Sequence, residues 1–268
     1  MSLDPDPDTT VPIPPVPGGH ALLEGKVVLV TAAAGTGIGF ATAERCTNEG
    51  AIVAISDIHE RRLGEAAERI AALTGRPPLA ILCDVTVESQ VEAMCDAVVD
   101  EHGRIDVLVN NAGLGGDTSI LEMTDEQWSR VIDVTLNGTF RCTRATLRHM
   151  TARRSGVIIN NASVIGWRAQ AGQAHYSAAK AGVMALTRAA ALDVAEYGVR
   201  VNAVAPSIAV HQFLAKVSSP ELIADLAARE AFGRAAEPWE VASVIAILAS
   251  DYAGYMTGEV VSVSSQHP

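Results

Sequence analysis

Tyr176 and Lys180 stand four residues apart, so on a helix they share one face, and Ser163 closes a preceding apolar run that can fold back toward them. A tyrosine hydroxyl can exchange a proton with an alcohol or carbonyl oxygen when a nearby ammonium lowers its ordinary pKa of about 10. A serine hydroxyl beside it orients the substrate oxygen. The set therefore suits a carbon centre passing between secondary alcohol and ketone, with the hydride exchanged with a carrier held alongside. A Tyr and a Lys at this spacing also occur on ordinary surface helices, so the surrounding sequence carries the weight.

A carrier site is legible upstream. An aliphatic run ends in Thr31-Ala-Ala-Ala-Gly-Thr-Gly-Ile-Gly39, and a helical pattern follows. Glycines between a strand and a helix permit tight turning and close backbone approach to a pyrophosphate at the helix N-terminus. Gly35, Gly37 and Gly39 alone fit an ordinary tight turn equally well. Asp57, about twenty residues on at the end of the next apolar run, adds a carboxylate that accepts from ribose hydroxyls and repels a 2'-phosphate. The plainer role for Asp57 is a cap for the helix that follows.

These groups need a sheet to hold them. Short apolar runs at 27–30, 51–56, 80–83, 105–109, 157–160, 199–203 and 260–263 alternate with helical patterns, among them 40–48 and 61–73, and most runs end in a polar or glycine-rich turn. The pattern predicts an α/β fold of about seven mostly parallel strands with helices on both faces. Residues 1–19 differ: Asp4, Asp6 and Asp8 alternate with prolines before Pro12, Pro14, Pro15 and Pro17, which predicts an extended or mobile tail ahead of one domain over 20–268.

Composition narrows the classes. The chain has 268 residues, 49% hydrophobic and 19% charged, as expected of one large globular domain. A formal charge of -11 disfavours nucleic acid and anionic lipid as partners. No apolar run approaches the roughly 20 residues of a membrane helix, and no secretory signal pattern opens the chain. Cys46, Cys83, Cys95 and Cys142 are widely spaced, and the seven histidines form no ligand pattern, so a reduced cytoplasmic setting without a metal is expected.

Over residues 22–263 these segments resemble the classical short-chain dehydrogenase/reductase family, with the motifs in family order. Thr31 to Gly39 resembles the cofactor loop, Asp84 the adenine-contacting acid, Asn110-Asn111-Ala112-Gly113 the loop beside the cofactor, and Ser163 with Tyr176-Ser-Ala-Ala-Lys180 the catalytic set. The resemblance implies a single-domain, Rossmann-like doubly wound sheet, Tyr176 as general acid/base, and Lys180 on the nicotinamide ribose lowering the tyrosine pKa. It implies a homotetramer or homodimer. Cofactor contacts are implied at Thr31, Gly35, Thr36, Gly37, Ile38, Gly39, Asp57, Asp84, Val85, Asn111, Ala112, Gly113, Tyr176, Lys180, Pro206 and Ile208, with NAD favoured over NADP.

The chain departs from the family pattern at Ala32, which replaces the first glycine in a cofactor loop one residue longer. Thr135 stands where the family has a catalytic asparagine and would fill that role in part through its hydroxyl, with Asn137 the other candidate. Pro206-Ser207 replaces a proline-glycine pair, and Ser264-Ser265 replaces an aspartate-glycine after the last strand. Substrate contacts are expected from Ser163, Trp167, Arg168, Gln170, Tyr176, His211 and Phe213, under a lid near 207–235. Trp167 read plainly is packing or interface, and Arg168 a solvated charge.

Closer resemblance, in the cofactor loop, in Asn160-Asn-Ala-Ser-Val-Ile-Gly-Trp-Arg-Ala-Gln170 and in the final Ser-Val-Ser-Ser-Gln-His-Pro, is to an actinobacterial branch linked to steroid C/D-ring degradation. It implies oxidation of a hydroxyl on a bicyclic hexahydroindanone propanoyl-CoA, with Arg168, Lys216 or Arg234 meeting the CoA phosphates. The competing readings are an NADPH-dependent 3-oxoacyl-thioester reductase, which Asp57 opposes, and a dinucleotide-binding scaffold without turnover, which the intact Ser163, Tyr176 and Lys180 oppose.

Overall fold

The computed structural model describes residues 11–168, 170–209 and 220–265. Within them a seven-stranded sheet is built from β1 (Val27–Val30), β2 (Ile52–Asp57), β3 (Leu79–Leu82), β4 (Val107–Asn110), β5 (Gly156–Asn161), β6 (Val199–Pro206) and β7 (Val260–Val263). The order is β3-β2-β1-β4-β5-β6-β7, and each neighbouring pair is parallel. Strands covered on both faces read as continuous apolar runs, which is why β1 is Val-Val-Leu-Val with all four residues buried. Successive side chains alternate between faces. Val28 and Val30 join Ile55, Leu63 and Ile245 on one side, while Val27 and Leu29 join Val98, Leu108 and Met150 on the other.

The helices are α1 (Ile38–Asn48), α2 (Glu60–Thr74), α3 (Glu88–His102), α4 (Asp125–Ile132), α5 (Gly138–Arg153), α6 (Ala174–Val194), α7 (Pro220–Ala228) and α8 (Pro238–Ala249). A π-helical turn, Asp133–Asn137, joins α4 to α5. Glu237 and Glu240 form a capping box around Pro238 at the start of α8, an architectural role that the sequence implies. No helix among the described residues is long and apolar enough to cross a membrane. The order of strands reverses between β1 and β4, and a crevice opens at the carboxyl ends of such a pair.

Residues 11–19 are exposed and extended, and they are tied to the body. The Val11 N–H donates to Phe232 O at 3.0 Å, and Arg234 Nε donates to Val11 O at 3.2 Å. Farther along, Arg45 of α1 donates to Pro17 O at 2.6 Å and Gly18 O at 3.3 Å while forming a buried ion pair with Glu49. Burial works against the Glu49 carboxylate, yet the N–H groups of His20 and Leu22 together with Arg45 hold its pKa below the ordinary value. This segment is therefore a strap from α1 to the loop before α8.

The four cysteines are free and buried. Burial pushes the thiols of Cys46 and Cys83 up to about 12, Cys95 to about 11 and Cys142 well above its ordinary value. Above about pH 8.5 the unfolded chain releases thiol protons that the folded chain keeps, so stability falls as pH rises, at about 1.4 kcal/mol per group per pH unit. Lys180, lowered to about 8 by burial, acts in the opposite sense as one group against four thiols. The melting temperature is expected to drop steeply between about pH 9 and pH 11. A flat profile by differential scanning fluorimetry would contradict this burial.

Candidate active site

The crevice between β1 and β4 is built around Thr31. Its buried hydroxyl accepts from the N–H groups of Asn111 at 3.0 Å and Ala112 at 3.1 Å, which locks the turn after β4 against the turn after β1. Asn111 returns the contact, donating to Ala32 O at 3.0 Å and Thr31 O at 3.3 Å. Ala32 sits in the left-handed region at φ 49°, where the family pattern has glycine, and Gly35 at φ 103° needs the freedom of its residue type. A Cβ on Gly39 would lie 2.3 Å from Ala32 O and 2.4 Å from Asn111 Nδ2, so only glycine allows α1 to start this close to the turn. Gly37 is the N-cap of α1, makes no side-chain cap bond, and no acidic residue occupies the first turn.

Asp57, at the end of β2, accepts from the Ala34 N–H at 3.2 Å and from the His59 N–H at 2.9 Å. It thus fastens the glycine loop and also caps the approach to α2. Burial raises its pKa, against the Ala34 N–H and the nearby charge of Arg62. A glycine-lined turn, an α1 N-terminus without acidic side chains and a carboxylate at the end of β2 together have the chemistry that suits a dinucleotide. Asp84 closes its own turn, its Oδ1 accepting from the Thr86 N–H at 2.9 Å and hydroxyl at 2.7 Å. Val85 is buried beneath Gly138, where a Cβ would meet Val85 Cγ2 at 2.7 Å.

The structure brings Ser163, Tyr176 and Lys180 together. Ser163 follows β5, accepts from the Ile165 N–H at 3.3 Å and donates to Pro206 O at 3.4 Å, a long and therefore weak bond. Burial pushes the Tyr176 phenol up to about 12, partly countered by its hydrogen bond with Ser163. Lys180 is buried, its ammonium lowered to about 8, with Nζ 5.5 Å from the centre of the Tyr176 ring. Nζ donates to Asn161 O at 2.5 Å. The Asn161 side chain donates to Asn111 Oδ1 at 2.9 Å, so one chain of bonds joins the lysine to the glycine loop.

Thr135 lies in the π-helical turn, fully buried. Its hydroxyl accepts from the Leu114 N–H at 3.0 Å and donates to Leu114 O at 3.1 Å, so its only proton fastens the segment after β4. Thr135 still borders the site: a Cβ on Gly113 would be 3.8 Å from Thr135 Oγ1 and 3.5 Å from Lys180 Nζ. Asn137, the other candidate, is engaged away from Thr135. Residues two apart on a helix do not face the same way, and its amide donates to Asp133 at 3.1 Å.

Pro206 closes β6 in the buried layer, and Ile208 O accepts from the Ala236 N–H at 2.9 Å. Trp167 and Arg168 are exposed just after the Val164–Gly166 turn, and Gln170 is half-buried. Arg234 is not available for a CoA phosphate, because Glu240 holds its guanidinium through two bonds of 2.7 and 2.8 Å and Val11 O takes Nε. His211, Phe213 and Lys216, with the 210–219 part of the expected lid, lie outside the described residues.

Sequence reasoning missed two groups at this site. The Asn161 backbone carbonyl receives the Lys180 ammonium, a contact that residue type does not signal, whereas its side-chain bond to Asn111 had a signal in the second asparagine of Asn160-Asn161. His175 is buried beside Tyr176 and its Nδ1 accepts the Tyr176 N–H at 2.9 Å, serving α6 where its N-cap, Gln173, makes no side-chain bond. Burial lowers the His175 pKa, which keeps that acceptor neutral.

Comparison with known proteins gives the same answer as the geometry. The family model described as "Enoyl-(Acyl carrier protein) reductase" matches residues 32–265. The chain is 64% identical over 251 residues, 93% of its length and 96% of the relative's, to a Mycobacterium tuberculosis protein named "(5R,7aS)-5-hydroxy-7a-methyl-1-oxo-2,3,5,6,7,7a-hexahydro-1H-indene-carboxyl-CoA reductase". That name carries a carboxyl-CoA group and the word reductase, where the resemblance implied a propanoyl-CoA and an oxidation. It is 43% identical over 246 residues, 91% of its length and 97% of the relative's, to cis-4-hydroxycyclohexanecarboxylate dehydrogenase of Sinomonas cyclohexanicum. A crystal structure of a short chain dehydrogenase from Mycobacterium smegmatis superposes with a TM-score of 0.85 at 57% identity, covering 95% of this chain and 98% of that one. The chain therefore belongs to the classical short-chain dehydrogenase/reductase family of dinucleotide-dependent oxidoreductases.

Proposed function

We propose that this enzyme is an NAD-dependent dehydrogenase that interconverts a ring secondary alcohol and its ketone on a hexahydroindanone skeleton carried as a CoA thioester. The observation that supports it most is the meeting of Ser163, Tyr176 and Lys180 at one end of a crevice whose other end presents Asp57. The ring system is taken from the 64% identical relative, and a second relative named for a cyclohexane-ring alcohol supports the same substrate class. Exposed Trp128 and Phe140, on α4 and α5, support assembly with further copies of the chain through those helices.

When bound, NAD supplies the hydride acceptor. Tyr176, as tyrosinate, takes the hydroxyl proton while the carbon–hydrogen bond breaks with its electron pair and the carbonyl forms. Ser163 exchanges its Pro206 bond for one to the substrate oxygen. Lys180 holds the developing tyrosinate by its charge. In the reverse direction Tyr176 returns the proton to the nascent alkoxide.

The test is an initial-rate comparison by nicotinamide absorbance, using the hydroxylated hexahydroindane carboxyl-CoA beside a simple 3-hydroxyacyl-CoA, each with NAD and with NADP. The expected result is a kcat/KM for the bicyclic thioester with NAD about a hundredfold above the other three combinations. Preference for the simple thioester with NADP would make the enzyme a 3-oxoacyl-thioester reductase. Cofactor binding without turnover of any alcohol or ketone would make it a scaffold.

A further inference from the structure

We propose that Arg69 is a cofactor-positioning residue: from α2 it clamps the lengthened glycine loop and sets the direction of the Gly35–Thr36 peptide. The inference rests on the reading of this loop as the pyrophosphate site. Arg69 Nη1 donates to Gly35 O at 3.0 Å, and its guanidinium lies 3.6 Å from the centre of the Phe40 ring. Phe40 is buried in α1 and forms a fixed platform, whereas Arg69 itself is exposed. The planar cation is thus held by stacking on one side and aimed at a carbonyl on the other.

The loop needs such a clamp. It carries Ala32 in a left-handed conformation that side chains rarely adopt and Gly35 at φ 103°, a turn that stores backbone strain. Two of its peptides are secured from β2, by Ala33 N–H to Ser56 O at 3.0 Å and Ala34 N–H to Asp57 at 3.2 Å. Arg69, from α2, secures the Gly35–Thr36 peptide, two further on. In a trans peptide the N–H points opposite to the C=O, so drawing Gly35 O toward α2 turns the Thr36 N–H away from α2. Loss of Arg69 removes the bond that draws the Gly35 carbonyl toward α2, and a carbonyl oxygen facing a phosphate would repel it. The same guanidinium neutralises that oxygen while it is held.

The experiment uses full-length wild-type, Arg69→Ala and Arg69→Lys enzymes, with three readouts. These are amide hydrogen exchange of peptides spanning 32–37 without cofactor, the equilibrium dissociation constant for NAD by calorimetry, and kcat at saturating NAD. Arg69→Ala is expected to speed exchange in this segment and weaken NAD binding, each about tenfold, with kcat and melting temperature unchanged. Arg69→Lys is expected to behave like Arg69→Ala, because an ammonium lacks the stacked planar fork. Wild-type exchange and affinity in Arg69→Ala would overturn the clamp. So would full recovery in Arg69→Lys, which would leave only a point charge, or faster exchange spread throughout α1 and α2, which would make Arg69 a packing residue. Failure of the wild-type enzyme to bind NAD or NADP would overturn the cofactor reading itself, and the exchange data without cofactor separate the two cases.

Discussion

Tyr176→Phe is expected to lower turnover about a thousandfold while leaving NAD affinity within about twofold. The substitution removes one oxygen and keeps the ring, which is half-buried between Ser163 and the Lys180 ammonium. No glycine-loop contact passes through the phenol: Thr31, Asn111 and Asp57 hold that loop independently. Orientation of the alcohol by Ser163 survives, but the proton has no acceptor when the hydride leaves. Initial rates at saturating substrate, paired with NAD titration by fluorescence, check both halves. Near-normal turnover would move acid/base chemistry to another group, and lost NAD affinity would mean that the hydroxyl is structural.

Lys180→Met is expected to reduce kcat about a hundredfold at neutral pH and to shift the rising limb of the oxidation profile upward by about one unit or more. Burial, partly countered by Ser163, pushes the Tyr176 phenol up to about 12. Oxidation needs the deprotonated phenol, so each unit between the working pH and that pKa costs about tenfold in the active form. On the mechanism proposed above, the buried ammonium stabilises the tyrosinate and offsets this cost, and methionine fills similar volume without charge. Its own pKa, about 8, limits the window, since above that value the cation is progressively lost. On that mechanism the profile reports tyrosine and lysine together. Coincident profiles for wild-type and Lys180→Met would assign the limb elsewhere.

The parts of the molecule that followed from local chemistry were legible in the sequence. β1 and β7 begin and end as the apolar runs predict, because both runs are bounded by turns. β5 and β6 extend past their apolar runs to Asn161 and Pro206, because pairing with neighbouring strands continues there regardless of side-chain polarity. Asp57 falls inside β2 rather than after it, since it pairs with Leu82. The Tyr176 and Lys180 face followed from helical periodicity alone. The fate of Thr135 and Asn137 did not, because the π-helical turn and the Leu114 backbone that claims the Thr135 hydroxyl are tertiary facts. Arg234 reads as a free cation in sequence, and only the fold brings Glu240 and Val11 to it. Arg69 was invisible for the same reason: its partner lies 34 residues away, across two elements.

The buried thiols have one more consequence. Maleimides and haloacetamides react with accessible thiolate, and Cys46, Cys83, Cys95 and Cys142 offer neither access nor ionisation in the folded chain. The native sequence thus supplies its own silent background for site-directed labelling. A single cysteine placed at an exposed position flanking the crevice, such as Trp167, becomes the one reactive handle to which a fluorophore can be attached without first rebuilding the core.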